Sequence, residues 1–183
     1  KYYDNNSVGA FFGEASILYT YEICYKITRD EKFIKYSQKH YEIIAELLKK
    51  DKDYDYLLGS CGALQIVLNL YELTQNRQLL DNAVEFANKL IENAKYEDKG
   101  TIYWVSTQAT NALAGLSHGQ SGFSLMFARM GKITKNQYYI NISRKAMNYE
   151  DQFYNTKIGN WSDQRIINGV KNEEKGVNPV AWC

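Results

Sequence analysis

The sequence predicts an all-α fold made of repeated helical hairpins, and three observations lead to this prediction. The 183 residues contain one proline, so long helices are not interrupted. Helical hydrophobic patterns of two kinds alternate, one apolar almost all round and one apolar on a single face. The order of glycine turn, apolar helix, polar turn and amphipathic helix occurs three times, which is typical of a helical array.

The first predicted hairpin spans about residues 9–50. Its apolar stretch, 9–28, is hydrophobic nearly all round, which predicts a buried helix with Cys24 in the core. The polar residues 28–31 include good N-cap residues, so an amphipathic outer helix should begin there. His40 lies on this outer helix, and we assign it no functional role.

Two further hairpins are predicted at about 57–95 and 115–155, and the start of another at 179–183. The register of the repeat is carried by two aligned sets of residues: Thr28, Thr74 and Thr134, and Gly13, Gly59 and Gly119. The third unit is longer because of an insertion within 97–116, which we predict to be an extended segment or a loop over the open end of the helices. Residues 157–161 are interpreted as a loop.

Fully apolar helices that alternate with one-faced helices predict two concentric layers, one inner and one outer. The predicted architecture is an α/α toroid, a barrel of nested helical hairpins, or an open solenoid. This sequence would form about the first half to two-thirds of such a toroid. The glycines at the start of each inner helix place several helix N-termini at one end, which is the expected functional site.

Composition and charge exclude several classes of function. The net charge of +1 argues against nucleic acid as a partner, and no apolar stretch is long enough for a transmembrane segment. The three cysteines show no disulfide framework, so we expect thiols in a reducing compartment and a cytoplasmic protein. The sequence begins at Lys1 rather than at a methionine, and we interpret it as part of a longer protein.

One position of the repeat changes from apolar to ionisable. The residue before the aligned glycine is Phe12, then Leu58, then His118, so we interpret it as a core position that became a histidine. A histidine at a helix start can transfer a proton near neutral pH, although capping or packing explains it equally well. Asp55, four residues before the second glycine, is a further candidate, with helix capping as its more common role. Cys61 is expected to be a core residue.

Three segments resemble the lanthionine synthetase C-like cyclases: 54–62, with the sequence YDYLLGSCG, 115–122, with GLSHGQSG, and 181–183, with AWC. Residues 9–48 are similar to the start of the cyclase domain of the bifunctional class II lanthipeptide synthetases. The resemblance covers essentially the whole sequence. The His–Gly turn together with the later Trp–Cys pair is its most specific feature.

The resemblance implies an α/α toroid with a zinc ion at its open end and a role in lantibiotic biosynthesis. Zinc would bind the thiol of a cysteine in a dehydrated precursor peptide. The thiolate would add to a dehydroalanine or dehydrobutyrine of the same peptide and close a thioether ring. Cys183 matches the first zinc ligand of the family, whose later Cys–His pair does not occur in this sequence. His118 matches the family's active-site histidine, and Asp55 matches its active-site aspartate.

The resemblance also sets expectations for this polypeptide by itself. Three protein ligands are typical of a catalytic zinc site, so with Cys183 as its one matching ligand the polypeptide should bind zinc poorly and be inactive alone. Apolar surfaces of its inner helices should be exposed, or covered through self-association with another copy.

Two other functions stay open at this point. One is a glycan-active α/α toroid, which we rank low because such enzymes use a carboxylate pair and the candidate positions supply one Asp and one His. The other is a non-catalytic helical scaffold that binds peptides, or a relative of the cyclases that has lost its metal.

Overall fold

The computed structural model describes residues 7–97, 100–167 and 169–171. Within these residues six helices follow one another as three hairpins: α1 Glu14–Thr28, α2 Lys32–Lys50, α3 Ser60–Thr74, α4 Arg77–Glu92, α5 Gln120–Thr134 and α6 Gln137–Asp151. Three short antiparallel strand pairs accompany them: β1 Lys95–Tyr96 with β2 Ile102–Tyr103, β3 Tyr154–Asn155 with β4 Asn160–Trp161, and β5 Ile166–Ile167 with β6 Val170–Lys171. The predicted all-α class is confirmed, and successive hairpins are what a fragment of an α/α toroid contains. The predicted further unit at 179–183 lies outside the described residues.

The chain divides into two compact units, Lys1–Leu90 and Ile91–Cys183. In the first unit α1 packs against α2 and α3, and α2 also contacts α3. The side-chain amide of Asn82 on α4 donates a hydrogen bond to the hydroxyl of Tyr41 on α2, at 2.8 Å. In the second unit α5 packs along α6, and β2 lies against α6. None of the helices in the described ranges has the length and hydropathy needed to cross a membrane.

The repeat seen in the sequence is present in the backbone. The aligned glycines are the N-caps of the inner helices α1, α3 and α5, and all are extended: Gly13, Gly59 and Gly119. The residue that follows each of these helices is left-handed, with φ of 58°, 55° and 54° in turn: Arg29, Gln75 and Lys135. Left-handed backbone closes helix C-termini and is costly for residues other than glycine.

The turns inside the hairpins are built from the same side-chain hydrogen bonds. Each inner helix ends on a threonine whose hydroxyl donates to the carbonyl four residues earlier, at 2.7–2.8 Å: Thr28, Thr74 and Thr134. Two residues later an Asp or Asn side chain accepts from a backbone N–H at the start of the outer helix, at 2.9–3.0 Å: Asp30, Asn76 and Asn136. Such side chains are the preferred N-cap acceptors. The predicted alignment of the three threonines is therefore confirmed contact by contact.

The insertion before α5 begins as an extended segment and continues packed against that helix. In the strand pair β1–β2, Lys95 lies opposite Tyr103. The next residue, Trp104, is buried, and its ring stacks on Phe123 and Phe127 of α5 at centroid distances of 4.4 and 5.5 Å. The insertion thus contains a short extended stretch, at β2, followed by irregular backbone, and the aromatic stack holds it against the inner helix.

The expectation that the first inner helix is buried is wrong. The helix begins at Glu14, and the apolar residues before it form a turn in which Phe11 and Phe12 are 48% and 67% exposed. On α1 itself Ile27 is 77% exposed, and Cys24, expected in the core, is only half-buried. The packing partners of α1, the helices α2 and α3, leave these residues uncovered. A hydrophobic pattern shows which residues are apolar but not which neighbours cover them.

The interpretation of 157–161 as a loop is wrong in part. Here β3 and β4 form a hairpin in which Tyr154 lies opposite Trp161, and Gly159 in its turn has a φ of 63°. The two aromatic rings pack edge to face, with their centroids 5.0 Å apart. Strands of two residues are too short to produce a detectable alternation in the sequence.

The left-handed C-caps lead to a prediction about stability. Replacing Lys135 with glycine should raise the free energy of unfolding by about 0.5–1 kcal/mol, because the strain of a left-handed Cβ exceeds the entropy that glycine adds to the unfolded chain. The matched control is Lys132→Gly, which lies inside α5 and should lower it by about 1 kcal/mol. Urea denaturation measures both, and equal effects of the two variants would contradict the prediction.

Candidate functional site

His118 lies in the turn that leads from the insertion into α5. Gly115, where this turn begins, has a φ of 107°, a region that favours glycine. Gly119 is the N-cap of α5, and a Cβ atom there would lie 2.3 Å from the carbonyl carbon of Ala114. Both glycines are therefore required by the path of the backbone, and the half-buried His118 is the ionisable side chain between them.

The position that His118 occupies is not a core position, contrary to our interpretation of the sequence. In the first hairpin Phe12 is 67% exposed at this position, and in the second hairpin Leu58 is only half-buried. Each of these residues precedes an N-cap, where the chain is still in the turn and not yet packed in the helix. A histidine here keeps part of its surface open to solvent, which a group that exchanges protons with a substrate needs.

A buried carboxylate on α6 holds both ends of this turn. Oε2 of Glu150 accepts hydrogen bonds from the backbone N–H of Gly115 at 3.0 Å and from that of Ser121 at 2.8 Å. Oε1 accepts a bond from the hydroxyl of Ser121 at 2.5 Å. Because the N-cap of α5 is a glycine with no side chain, Glu150 supplies the acceptor that a capping residue supplies elsewhere.

Sequence reasoning missed Glu150, although the repeat contains the signal. The aligned residues on the other two outer helices are Ile44 and Leu90, and both are buried and apolar. The third unit therefore departs from the repeat twice, once in the turn at His118 and once on the outer helix at Glu150. The second departure binds the segment that contains the first, so a comparison of the outer helices would have found it.

The protonation of Glu150 is set by opposing effects. Burial of the carboxyl is the largest of them and raises its pKa, while the hydrogen bonds from Ser121 and Gly115 lower it. The negative charge of Asp151 raises it slightly further. The net result is a pKa above the ordinary value of 4.5, because desolvation of the charged form outweighs the hydrogen bonds that stabilise it.

A buried amide ties the insertion to the start of α5. Oε1 of Gln120 accepts from the backbone N–H of Trp104 at 2.9 Å, and Nε2 donates to the carbonyls of Trp104 at 3.0 Å and Leu113 at 3.2 Å. Gln120 is fully buried, so these bonds satisfy an amide that would otherwise be costly to bury. Together with Glu150, Gln120 fixes the residues on either side of His118.

A cleft of about 350 Å³ also lies in the second unit, lined by the loop 107–111, Arg165 and Ile166. The guanidinium of Arg165 binds the carboxylate of the buried Asp163 at 2.6–3.1 Å. The side-chain amide of Asn111 donates to the carbonyl of Gln164 at 2.5 Å. The lining therefore combines apolar surface with amides, hydroxyls and a guanidinium.

Asp55, the candidate aspartate, belongs to the first unit and is fully buried in the turn before α3. Its Oδ1 accepts from the backbone N–H of Leu58 at 2.7 Å. Its carbonyl oxygen accepts from the N–H groups of Gly59 and Gly62 at 3.2 and 3.3 Å. The N-cap of α3 is Gly59 and not Asp55, so the aspartate closes the turn that leads into the helix rather than capping the helix.

The turns before α1 and α3 lie side by side in the first unit. The hydroxyl of Ser7 donates to the carbonyl of Leu58 at 3.0 Å, and a Cβ atom on Gly9 would lie 2.6 Å from the backbone of Leu58. The start of α3 is held by Asp51, whose Oδ2 accepts from the N–H of Ser60 at 2.8 Å and also from its hydroxyl. The expected convergence of inner-helix N-termini is therefore present for this pair of helices.

Cys61 is a core residue, as predicted. It lies in the first turn of α3 and has no exposed surface. Burial, and to a lesser extent the charge of Asp55, raises the pKa of its thiol well above the ordinary value. A thiol that resists ionisation is a poor nucleophile and a poor metal ligand.

The predicted zinc ligand Cys183 lies outside the described residues. Within 7–97, 100–167 and 169–171, no group of three or more His, Cys, Asp or Glu side chains is arranged to hold a metal ion. Glu150 and Asp55 accept hydrogen bonds from backbone N–H groups, and burial raises the pKa of the Cys61 thiol. The described residues therefore do not form a zinc site by themselves.

The raised pKa of Glu150 leads to a prediction about pH. The folded protein binds this proton more readily than the unfolded chain, so ionisation of Glu150 opposes folding at neutral pH and this effect fades as the pH falls toward 4.5. Glu150→Gln resembles the protonated form. Its melting temperature relative to the unmodified protein should therefore be highest near pH 7 and should decline as the pH falls.

The matched control is Glu46→Gln on α2. A hydrogen bond from Lys49 and its positive charge lower the pKa of the exposed Glu46. Ionisation of Glu46 therefore favours folding, whereas ionisation of Glu150 opposes it. This variant should be slightly less stable than the unmodified protein near pH 7, and the difference should vanish as the pH falls through the lowered pKa. Thermal melting at a series of pH values measures both variants. If the melting temperatures of the two variants change with pH in the same direction, the raised pKa of Glu150 is refuted.

Comparison with known proteins identifies the family. No curated protein matches the chain. A family model described as "Lanthionine synthetase C-like protein" matches residues 1–183, the full length of the sequence. The chain belongs to the lanthionine synthetase C-like family.

Proposed function

We propose that this chain is part of a cyclase that adds cysteine thiols of a precursor peptide to dehydroalanine or dehydrobutyrine residues and so forms lanthionine rings. The observation that carries the proposal is the full-length family match together with His118. This histidine is partly exposed, in a turn fixed on both sides by Glu150. A reaction that moves protons needs an accessible ionisable group in a fixed position.

The reaction places defined demands on the enzyme. A bond forms between the thiol sulfur and the β-carbon of the dehydro residue, and the thiol loses its proton. The electron pair of the alkene moves to the α-carbon as an enolate, which takes up a proton to complete the ring. We assign His118 one of these transfers, either removal of the thiol proton or protonation of the enolate, since imidazole accepts and donates protons near neutral pH.

Asp55 is proposed to orient a reacting group or to stabilise charge. Its carboxylate is buried, and one oxygen is used by the N–H of Leu58. A buried carboxylate acts more strongly on nearby charge than an exposed one, because the surrounding dielectric is low. The same hydrogen bond gives Asp55 a structural role, and the two roles are separable by mutation.

Zinc is proposed for the complete protein only. Cys183 is the residue of this chain that we assign to it, with the further ligands supplied from outside this sequence. When bound, zinc would lower the pKa of the substrate thiol so that the thiolate is present at neutral pH. We expect the 183-residue polypeptide alone to be inactive, and we expect the exposed apolar side of α1 to favour self-association.

The two alternative functions are less well supported. A glycan-active enzyme needs a pair of carboxyl groups that face the substrate. The carboxyl groups nearest to the candidate turns, Asp55 before α3 and Glu150 on α6, are buried and bound to backbone N–H groups. A peptide-binding scaffold would also have the helical hairpins and the cleft beside Arg165, but it would not need a histidine at this turn.

The role of His118 is testable in the complete protein. His118→Asn keeps a polar side chain but removes proton transfer, so the rate of ring formation should fall about 10²–10⁴-fold while the peptide still binds. The control is His40→Asn, which replaces the other of the two histidines. This variant should form rings in the peptide at the normal rate. Mass spectrometry after thiol alkylation measures ring formation. Normal cyclisation by His118→Asn would favour the scaffold.

The charge of Asp55 is tested by Asp55→Asn. The amide oxygen can still accept from Leu58, so the free energy of unfolding should change by less than about 1 kcal/mol. Asp55→Ala removes the acceptor and should cost about 1–3 kcal/mol. If the carboxylate acts on the reaction, both variants should cyclise at least about tenfold more slowly. An Asn variant with full activity would leave Asp55 with its structural role only.

A further inference from the structure

We propose that Glu150 is a positioning residue for His118: its buried carboxylate holds both ends of the 115–122 turn and thereby fixes where the histidine meets the substrate. The inference rests on the proposed function, because it assumes that His118 takes part in ring formation. It adds a residue on the outer helix α6 to a site that the sequence places only in the glycine turns.

The first line of support is the symmetry of the contacts about His118. The N–H of Gly115, three residues before the histidine, and the N–H of Ser121, three residues after it, bind the same oxygen of Glu150 at 3.0 and 2.8 Å. The second oxygen binds the Ser121 hydroxyl at 2.5 Å. One side chain thus closes the segment into a loop whose two ends cannot move independently.

The second line of support is the rigidity of the anchor. Glu150 lies near the end of α6, which packs along α5. It is 3% exposed, so water does not compete for its hydrogen bonds. A group held by packed helices positions a neighbour more accurately than a group on a loop.

The third line of support is the difference between the repeats. The equivalent outer-helix residues Ile44 and Leu90 make apolar contacts in the core. In the second hairpin the start of α3 is held by Asp51 at the end of α2, through Ser60. A carboxylate at a position that is apolar in the other two hairpins opposes folding through its desolvation, so a requirement other than helix packing explains its presence.

Three variants of the complete protein separate positioning from stability. Glu150→Leu introduces the aligned residue of the second hairpin, Leu90, which keeps apolar bulk on the helix but removes every acceptor. Glu150→Gln can accept both N–H bonds through its amide oxygen and donate to the Ser121 hydroxyl, so it preserves the contacts. Met126→Ala, at a fully buried position of α5, destabilises the same helix pair and leaves the turn contacts intact.

We expect Glu150→Leu to lower kcat for cyclisation about 100-fold with KM nearly unchanged, because the histidine is misplaced by about 1 Å while the peptide-binding surface remains. Hydrogen exchange of the Gly115 and Ser121 amides should become fast. Glu150→Gln should keep these amides protected and keep most of the activity. Met126→Ala, assayed below its melting temperature, should retain kcat although it melts earlier than the unmodified protein.

Three results would overturn the proposal. One is a normal kcat for Glu150→Leu despite fast amide exchange. Another is a large loss of kcat for Glu150→Gln with the amides still protected, which would show that Glu150 acts through its charge or proton. The third is a loss of kcat in Met126→Ala equal to that of Glu150→Leu, which would show an effect of stability alone.

Failure of the proposed function is recognised separately. If His118→Asn forms rings at the normal rate, the role given to His118 is wrong and Glu150 has nothing catalytic to position. Fast amide exchange in Glu150→Leu would in that case show that the carboxylate holds the turn for another purpose, and the error would lie in the function and not in the contact.

Discussion

The helix starts of this protein are governed by one steric constraint, which is that the N-cap of every inner helix must be glycine. At Gly119 a Cβ atom would overlap the backbone of Ala114, and at Gly59 it would overlap that of Tyr54. A glycine cannot cap with a side chain, so the first N–H groups of α3 and α5 need acceptors from elsewhere. Asp51 and Glu150 are those acceptors, and each ties a turn to an outer helix.

The sequence was sufficient to predict the features that recur. Each hairpin has a glycine N-cap, a threonine at the end of the inner helix and an Asp or Asn at the start of the outer helix, always at equivalent positions of the repeat. The hydrogen bonds of the threonines are local. Burial could not be predicted in the same way. Ile27 and Cys24 belong to a largely apolar stretch like that of α3, but the helices packed against α1 leave them partly uncovered. The apolar character of a residue is a property of the sequence, whereas its burial depends on which helices pack against it.

The candidate site was predicted in part for a related reason. His118 was visible because it departs from the repeat in a turn, where we compared the units. Glu150 departs from the repeat just as clearly, but on an amphipathic outer helix whose sequence contains many polar and charged residues, so one more charged residue attracts little notice. Its contacts with Gly115 and Ser121 join residues far apart in the sequence, and only the fold brings them together. Cys183 lies beyond the described residues, so its role rests on resemblance.

The distances along the chain over which these contacts act imply an order of folding. The bonds that close each hairpin span two to four residues, so a hairpin can form as soon as its own segment has been synthesised. The turn around His118 depends on Glu150, which lies 35 residues after Gly115 and 29 after Ser121. On a ribosome, the histidine would emerge well before the residue that orders its turn. The scaffold can therefore assemble first, and the site acquires its final geometry only when α6 docks.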